Sequence, residues 1–141
     1  MKSIIKMALV VILLASITTS CSKYQDGPKF SLLTKKARLT GDWKIDKVTY
    51  NGNDVTSFVV AGIGANAVLD IEKDGNYKQS GNDPDDGKWK FGEDKDDVYF
   101  TSNKAGSKEE AYRILRLKSK ELWLRQTESN GDVTIIHYVP A

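Results

Sequence analysis

The chain holds one histidine, His137, and one cysteine, Cys21, in 141 residues. Imidazole acid–base work must therefore pass through His137, and thiol chemistry through Cys21. One of each cannot furnish a structural zinc site. No Gly-X-Ser-X-Gly elbow and no His-Glu-X-X-His pattern is present, so the usual hydrolase constellations are missing and the chain is not expected to be an enzyme. The acids gather in two stretches, Asp83, Asp85 and Asp86, then Glu93, Asp94, Asp96 and Asp97. Residues 82–93 match a calcium-binding EF-hand loop at its sixth position (Gly87) and twelfth (Glu93), but Pro84 stands third, where a ligand belongs. The flanks read as strands, so these acids are taken as solvated turn carboxylates. No metal and no cofactor is expected.

Six side chains are candidates for contact with a bound small molecule: Tyr77, Gln79, Trp89, Arg116, Gln126 and His137. Each lies in a run where apolar residues alternate with polar ones, and in a strand that alternation decides which face a residue joins. His137 shares a face with Val133, Ile135 and Val139. If that face is interior, His137 is a buried polar group needing a partner. If Ile136 and Tyr138 face inward instead, it is a surface residue. Gln79 goes with Tyr77, and Gln126 with Leu122 and Leu124. Arg116 alternates with Tyr112 and Ile114, which makes it either an inward cation for a carboxylate or a solvated strand arginine.

The elements that position these residues are mostly strands. Asn51-Gly52, Asp74-Gly75, Asp86-Gly87 and Asn130-Gly131 are dipeptides that turn a chain by supplying positive φ. Between the turns, β-branched and aromatic runs predict strands at 42–50, 67–73, 76–81, 87–92, 97–102, 110–118, 121–128 and 133–139. Ser31 is placed to cap a short helix over 32–39. The gap after the first strand holds Phe58, Val59, Val60 and Ile63. It predicts a short helix capped by Asp54 or Thr56 and ended by Gly62 and Gly64, lying across a barrel end as a lid or, preferred, plugging it. The fold class expected is all-β: an eight-stranded antiparallel up-and-down barrel, with a two-sheet sandwich as rival. Such a barrel is either filled by its own side chains or holds one small ligand.

Lys2 and Lys6 precede an apolar run from Met7 to Ile17 that is shorter than the about 20 residues a membrane-spanning helix needs. Its length and flanks fit a secretory signal over 1–20. Those two lysines belong to the 21 basic residues, so their removal leaves 19 against 19 acids and no net charge. A neutral chain lacks the basic surface that nucleic-acid binding requires. The only cysteine follows Thr18-Thr19-Ser20 directly, and the segment resembles a bacterial lipoprotein signal. That resemblance implies that Cys21 is lipidated and becomes the first mature residue. It also implies that residues 21–30 form a tether, and that Ser22 after the cysteine directs the protein to the outer membrane, on its periplasmic or surface side.

The stretch Leu39-Thr40-Gly41-Asp42-Trp43-Lys44-Ile45 resembles the Gly-X-Trp opening of lipocalins. Leu69–Tyr77, Gly87–Phe91, Tyr112–Leu117 and Glu121–Leu124 follow in the order seen in small lipocalin-like domains of Gram-negative lipoproteins. This resemblance covers most of residues 39–139 and implies a lipocalin-like barrel over 31–141, with Trp43 closing one end beneath an arginine from a late strand, Arg113 or Arg125. Trp43, Trp89 and Trp123 are otherwise expected as core. The functional expectation is a lipid-anchored binder of a small, mostly apolar molecule at the open barrel end. The alternative is a structural or protein-interaction lipoprotein with a filled barrel.

Overall fold

The computed structural model describes residues 32–141. The leader, Cys21, the tether and Ser31 lie outside the described residues. Thr34 is the first cap: its Oγ1 accepts a hydrogen bond from the Ala37 amide at 3.1 Å and starts helix α1, Lys35–Leu39. The helix is therefore shorter than the one expected over 32–39. Leu32 and Leu33 are exposed ahead of it, while Leu39 is fully buried.

Strands β1 (Gly41–Tyr50) and β2 (Asn53–Asp54) form a hairpin over Asn51-Gly52, both in the positive-φ region that this tight turn requires. Helix α2 (Thr56–Ile63) follows, then β3 (Leu69–Ile71), β4 (Asn76–Gln79), β5 (Asp85–Phe91), β6 (Asp97–Ser102), β7 (Glu110–Lys118), β8 (Glu121–Thr127) and β9 (Val133–Pro140). From β3 to β9 each strand pairs antiparallel with the next, and β1 pairs with β3 through Gly41–Trp43 and with β9 over nearly its whole length. That last pairing closes an eight-stranded barrel, with the two-residue β2 appended to it. Closure satisfies the backbone groups that the margins of a sandwich would leave unpaired.

One end of the barrel is sealed. The Trp43 indole N–H donates to the Leu39 carbonyl at 2.9 Å, and Arg38 Nη1 donates to the Leu117 carbonyl at 3.1 Å, which ties α1 across the base. Trp89 donates to the Glu72 carbonyl in the β3–β4 turn and meets Phe91 edge-on. Leu39, Trp43, Ile71, Trp89, Val98 and Leu117 belong to one buried cluster. The cover over Trp43 comes from α1, not from a late-strand arginine. Arg113 and Arg125 pair with each other in register, on the face opposite to inward Ile114 and Leu124, and Arg113 is bound to Asp97 at 2.9 Å.

Two β-bulges reset which side chains point inward. In β7 the register shifts between Ile114 and Arg116, so Leu117 enters the core and Arg116 turns outward, opposite Trp123. Strict alternation would have put Arg116 inside; the extra residue reverses it. A second shift between Ile45 and Lys47 keeps both Trp43 and Val48 buried in β1. Gly87 also departs from expectation. It lies within β5 rather than in a turn, without positive φ, because its neighbours leave no room for a Cβ.

Helix α2 does not plug the barrel. None of its residues is fully buried, and Phe58 is 83% exposed. Asp54 accepts from the Thr56 amide and hydroxyl to start it, Gly64 at φ 101° ends it, and Asn82 fastens its last turn by bonding the Gly62 and Ile63 carbonyls. The segment packs against β1 with Val59, Val60 and Ile63 half-buried, and Ile63 borders a small interior space with Ile45, Leu69 and Tyr138.

Candidate functional site

Above the sealed base the barrel interior opens into a cup of about 110 Å³ lined by Leu69, Tyr77, Gln79, Asp85, Phe100, Glu110, Tyr112, Leu124 and Tyr138. A recess of about 130 Å³ adjoins it, shares Tyr77, Asp85, Phe100 and Glu110 with it, and adds Ser102, Ser107 and Lys108. Leu69 and Leu124 are buried apolar side chains of the lining. Phe100 forms a wall, with the Tyr77 ring edge-on at 5.2 Å and the Tyr112 ring at 5.8 Å. Such edge-to-face contacts fix ring orientation as well as burying area.

The rim is a set of carboxylates approached by tyrosines. Tyr77 donates its hydroxyl to Asp85 Oδ2 at 2.7 Å, Ser102 donates to Asp85 Oδ1 at 2.6 Å, and Tyr112 donates to Glu110 Oε2 at 2.7 Å. Burial opposes the charge on Asp85, but the hydrogen bonds from Ser102 and Tyr77 outweigh it and hold the carboxyl below its usual range. Burial, reinforced by the carboxylate each one faces, raises Tyr77 and Tyr112, and burial alone raises Tyr138, so all three phenols stay protonated. The side chains of Gln79 and Tyr138 reach the cup without a hydrogen bond to another described residue. Each offers a donor and an acceptor to whatever occupies the space.

The six candidates from the sequence separate into four places. Tyr77 and Gln79 line the cup. Trp89 belongs to the core beneath it and lines no part of it. Gln126 shares the inward face of Leu122 and Leu124, opposite Thr134, but lies outside the lining. Arg116 and His137 are on the outer wall, where Trp123 also lies rather than in the core. The His137 ring stacks on Trp123 at 4.1 Å and 8°, while the Arg116 guanidinium sits 4.1 Å from the Trp123 ring and bonds Glu121. For His137, the surface alternative is the one observed. Asp85, Glu110, Tyr112 and Tyr138 complete the cup and were not among the candidates.

The acidic stretches are largely solvated, with Asp83, Asp86, Glu93 and Asp94 exposed and Asp85, Asp96 and Asp97 half-buried, and several of them hold partners across the chain. Asp83 pairs with Lys104, Asp86 accepts from Asn103, and Asp96 and Asp97 pair with Arg113. Among the described residues no group of three or more His, Cys, Asp or Glu is placed to hold a metal ion.

His137 supplies a pH prediction. Burial, then the nearby Lys47 charge, lowers its pKa from 6.5. Between the lowered folded value and the unfolded one, the unfolded chain binds more protons, so stability falls as pH drops from about 6.5 through the folded value. An NMR titration of this single imidazole should give a midpoint below 6.5; a midpoint at or above that contradicts the packing of the outer stack.

Compared with protein-family models and with curated proteins, the sequence matches none.

Proposed function

We propose that this chain is a lipid-anchored, lipocalin-like binding protein of the outer membrane, not an enzyme, which takes a small molecule into the cup at its open barrel end. The observation that carries this reading is the cup itself: a cavity of about 110 Å³ inside a closed barrel, with the Gln79 amide and the Tyr138 hydroxyl unpaired toward it among the described residues. Cup and recess together stay below the roughly 300 Å³ of a drug-sized site. An apolar cavity of about 150 Å³ is enough for benzene. The occupant is therefore a fragment-sized molecule, with an apolar body against Leu69, Leu124 and Phe100 and a polar head at the rim. His137, the only imidazole, stacks on the outer wall away from the cup, which supports binding rather than catalysis.

Native mass spectrometry of protein taken from its own host tests the binding reading. A small adduct that leaves on denaturation is expected; a mass equal to polypeptide plus acyl chains alone argues against it. The exposure of Phe58 on α2 favours the second reading, a protein-interaction lipoprotein. That reading gains if the cup is empty and Phe58→Ser abolishes a defined protein complex.

Anchoring is tested separately. The described chain begins at the sealed end, where α1 covers the base, and the mouth of the cup is at the far end. Acyl chains on Cys21 would bind membrane through buried methylenes at about 0.8 kcal/mol each. Cys21→Ala should move the protein from the membrane fraction to the soluble fraction, and unchanged membrane association would refute the anchor.

A further inference from the structure

We infer that the cup selects a small primary amine, bound as its ammonium ion; this rests on the binding reading above and names the class of its ligand. The argument is an inventory of donors, acceptors and charge. The Tyr77 and Tyr112 hydroxyls spend their protons on Asp85 and Glu110, so what these four groups present to an occupant is acceptor lone pairs and negative charge. Asp85 is held ionised by two donors, and Glu110 uses only Oε2 on Tyr112. No lysine or arginine lines the inner cup. Lys104 approaches Asp85 only to 4.0 Å and is bound to Asp83 at 3.0 Å, while Lys108 borders the outer recess alone.

An ammonium group carries three donors and one positive charge, the complement of that rim. A carboxylate would face two like charges, and an alcohol would bring one donor where several acceptors wait. Phe100, Tyr77 and Tyr112 line the same space, with Phe100 in edge-to-face contact with both tyrosines, and a ring face turned to an ammonium group attracts it. Leu69 and Leu124, in the same lining, accept an apolar stem. The cup alone, at about 110 Å³, is smaller than the about 150 Å³ that holds benzene, so a stem the size of a benzene ring also uses the adjoining recess of about 130 Å³.

Calorimetric titration of the full-length protein at pH 7 with benzylamine, benzyl alcohol and benzoate tests this inference. Benzylamine is expected to bind at least tenfold more tightly than benzyl alcohol, with benzoate weakest. Asp85→Asn and Glu110→Gln should each weaken benzylamine at least tenfold, and Asp83→Asn, outside the cup lining, should leave it unchanged. Because Asp85 also anchors Tyr77 and Ser102, Glu110→Gln is the decisive variant if Asp85→Asn fails to fold. Equal binding of the alcohol and the amine, or no effect of Glu110→Gln, overturns the amine assignment and leaves the cup as a neutral-ligand site. Failure of all three probes to bind overturns the amine assignment together with the cup reading.

Discussion

Replacing Trp43 by Ala is expected to destabilise the protein by about 3–5 kcal/mol in equilibrium urea unfolding. Trp43 is 3% exposed, sits in the buried cluster near the base and donates its indole N–H to the Leu39 carbonyl at 2.9 Å. Its removal leaves a large cavity at the sealed end and takes away the bond that ties α1 to β1. Against a typical total of about 5–15 kcal/mol for a domain, that is a large fraction. Trp43→Phe keeps most of the ring but strands the carbonyl, so a smaller loss of about 1–3 kcal/mol is expected. A loss below about 1 kcal/mol for the alanine variant would mean that the ring does not seal the barrel.

Gly87→Ala should be the second damaging change, although it adds only a methyl group. A Cβ at this position would lie 2.1 Å from the Thr101 carbonyl oxygen, 2.7 Å from Cε1 of Tyr77 and 2.9 Å from Cα of Ser102. Gly87 pairs with Tyr77 on one side and Ser102 on the other, so backbone crowds it from β6 and an aromatic ring from β4. Overpacking of this kind costs about 1–3 kcal/mol, and contact with backbone places Gly87→Ala at the upper end. Moving the Tyr77 ring also breaks its bond to Asp85, so benzylamine affinity should fall alongside stability. An unfolding midpoint within error of wild type, with binding retained, would show that β4 and β5 are not packed this closely.

The fold was legible where local pattern and tertiary demand agree. Asn51-Gly52, Asp74-Gly75 and Asn130-Gly131 turn the chain with positive φ, and alternating apolar residues between the turns form the strands. Closure through β1 and β9 is a pairing between residues about ninety positions apart, which no local spacing specifies; it was expected from the meander and from the lipocalin-like opening at Gly41-Asp42-Trp43. Arg116 was misleading because the bulge before it reverses the face of everything that follows. Gly87 read as a turn glycine because its dipeptide is a turn dipeptide, whereas its role is close approach of backbone and ring. Phe58 and its neighbours looked like a plug on composition, yet Phe58 is exposed and Val59, Val60 and Ile63 are only half-buried.

The cup was half legible. Tyr77 and Gln79 follow from alternation along β4, and Tyr138 from the alternative in which it faces inward and His137 outward. Asp85 and Glu110 were hidden because each begins a strand next to an acidic or polar loop, where a carboxylate ordinarily points to water. What identifies them is the tyrosine each one receives, Tyr77 from a neighbouring strand and Tyr112 from two residues on. Both acids precede an aromatic residue on the same strand face, Glu110 before Tyr112 and Asp85 before Trp89 across Gly87, a pattern that could have marked a carboxylate held at a barrel mouth.

A crystal structure of the protein purified from its own host, without refolding, tests the ligand cup most directly. The expected result is a barrel closed by β1 against β9, with density for a compact organic molecule between Gln79, Tyr138 and the two rim carboxylates. Tyr112 and Tyr138 collapsed across the interior to fill it, with no space left above Leu124, would contradict the account.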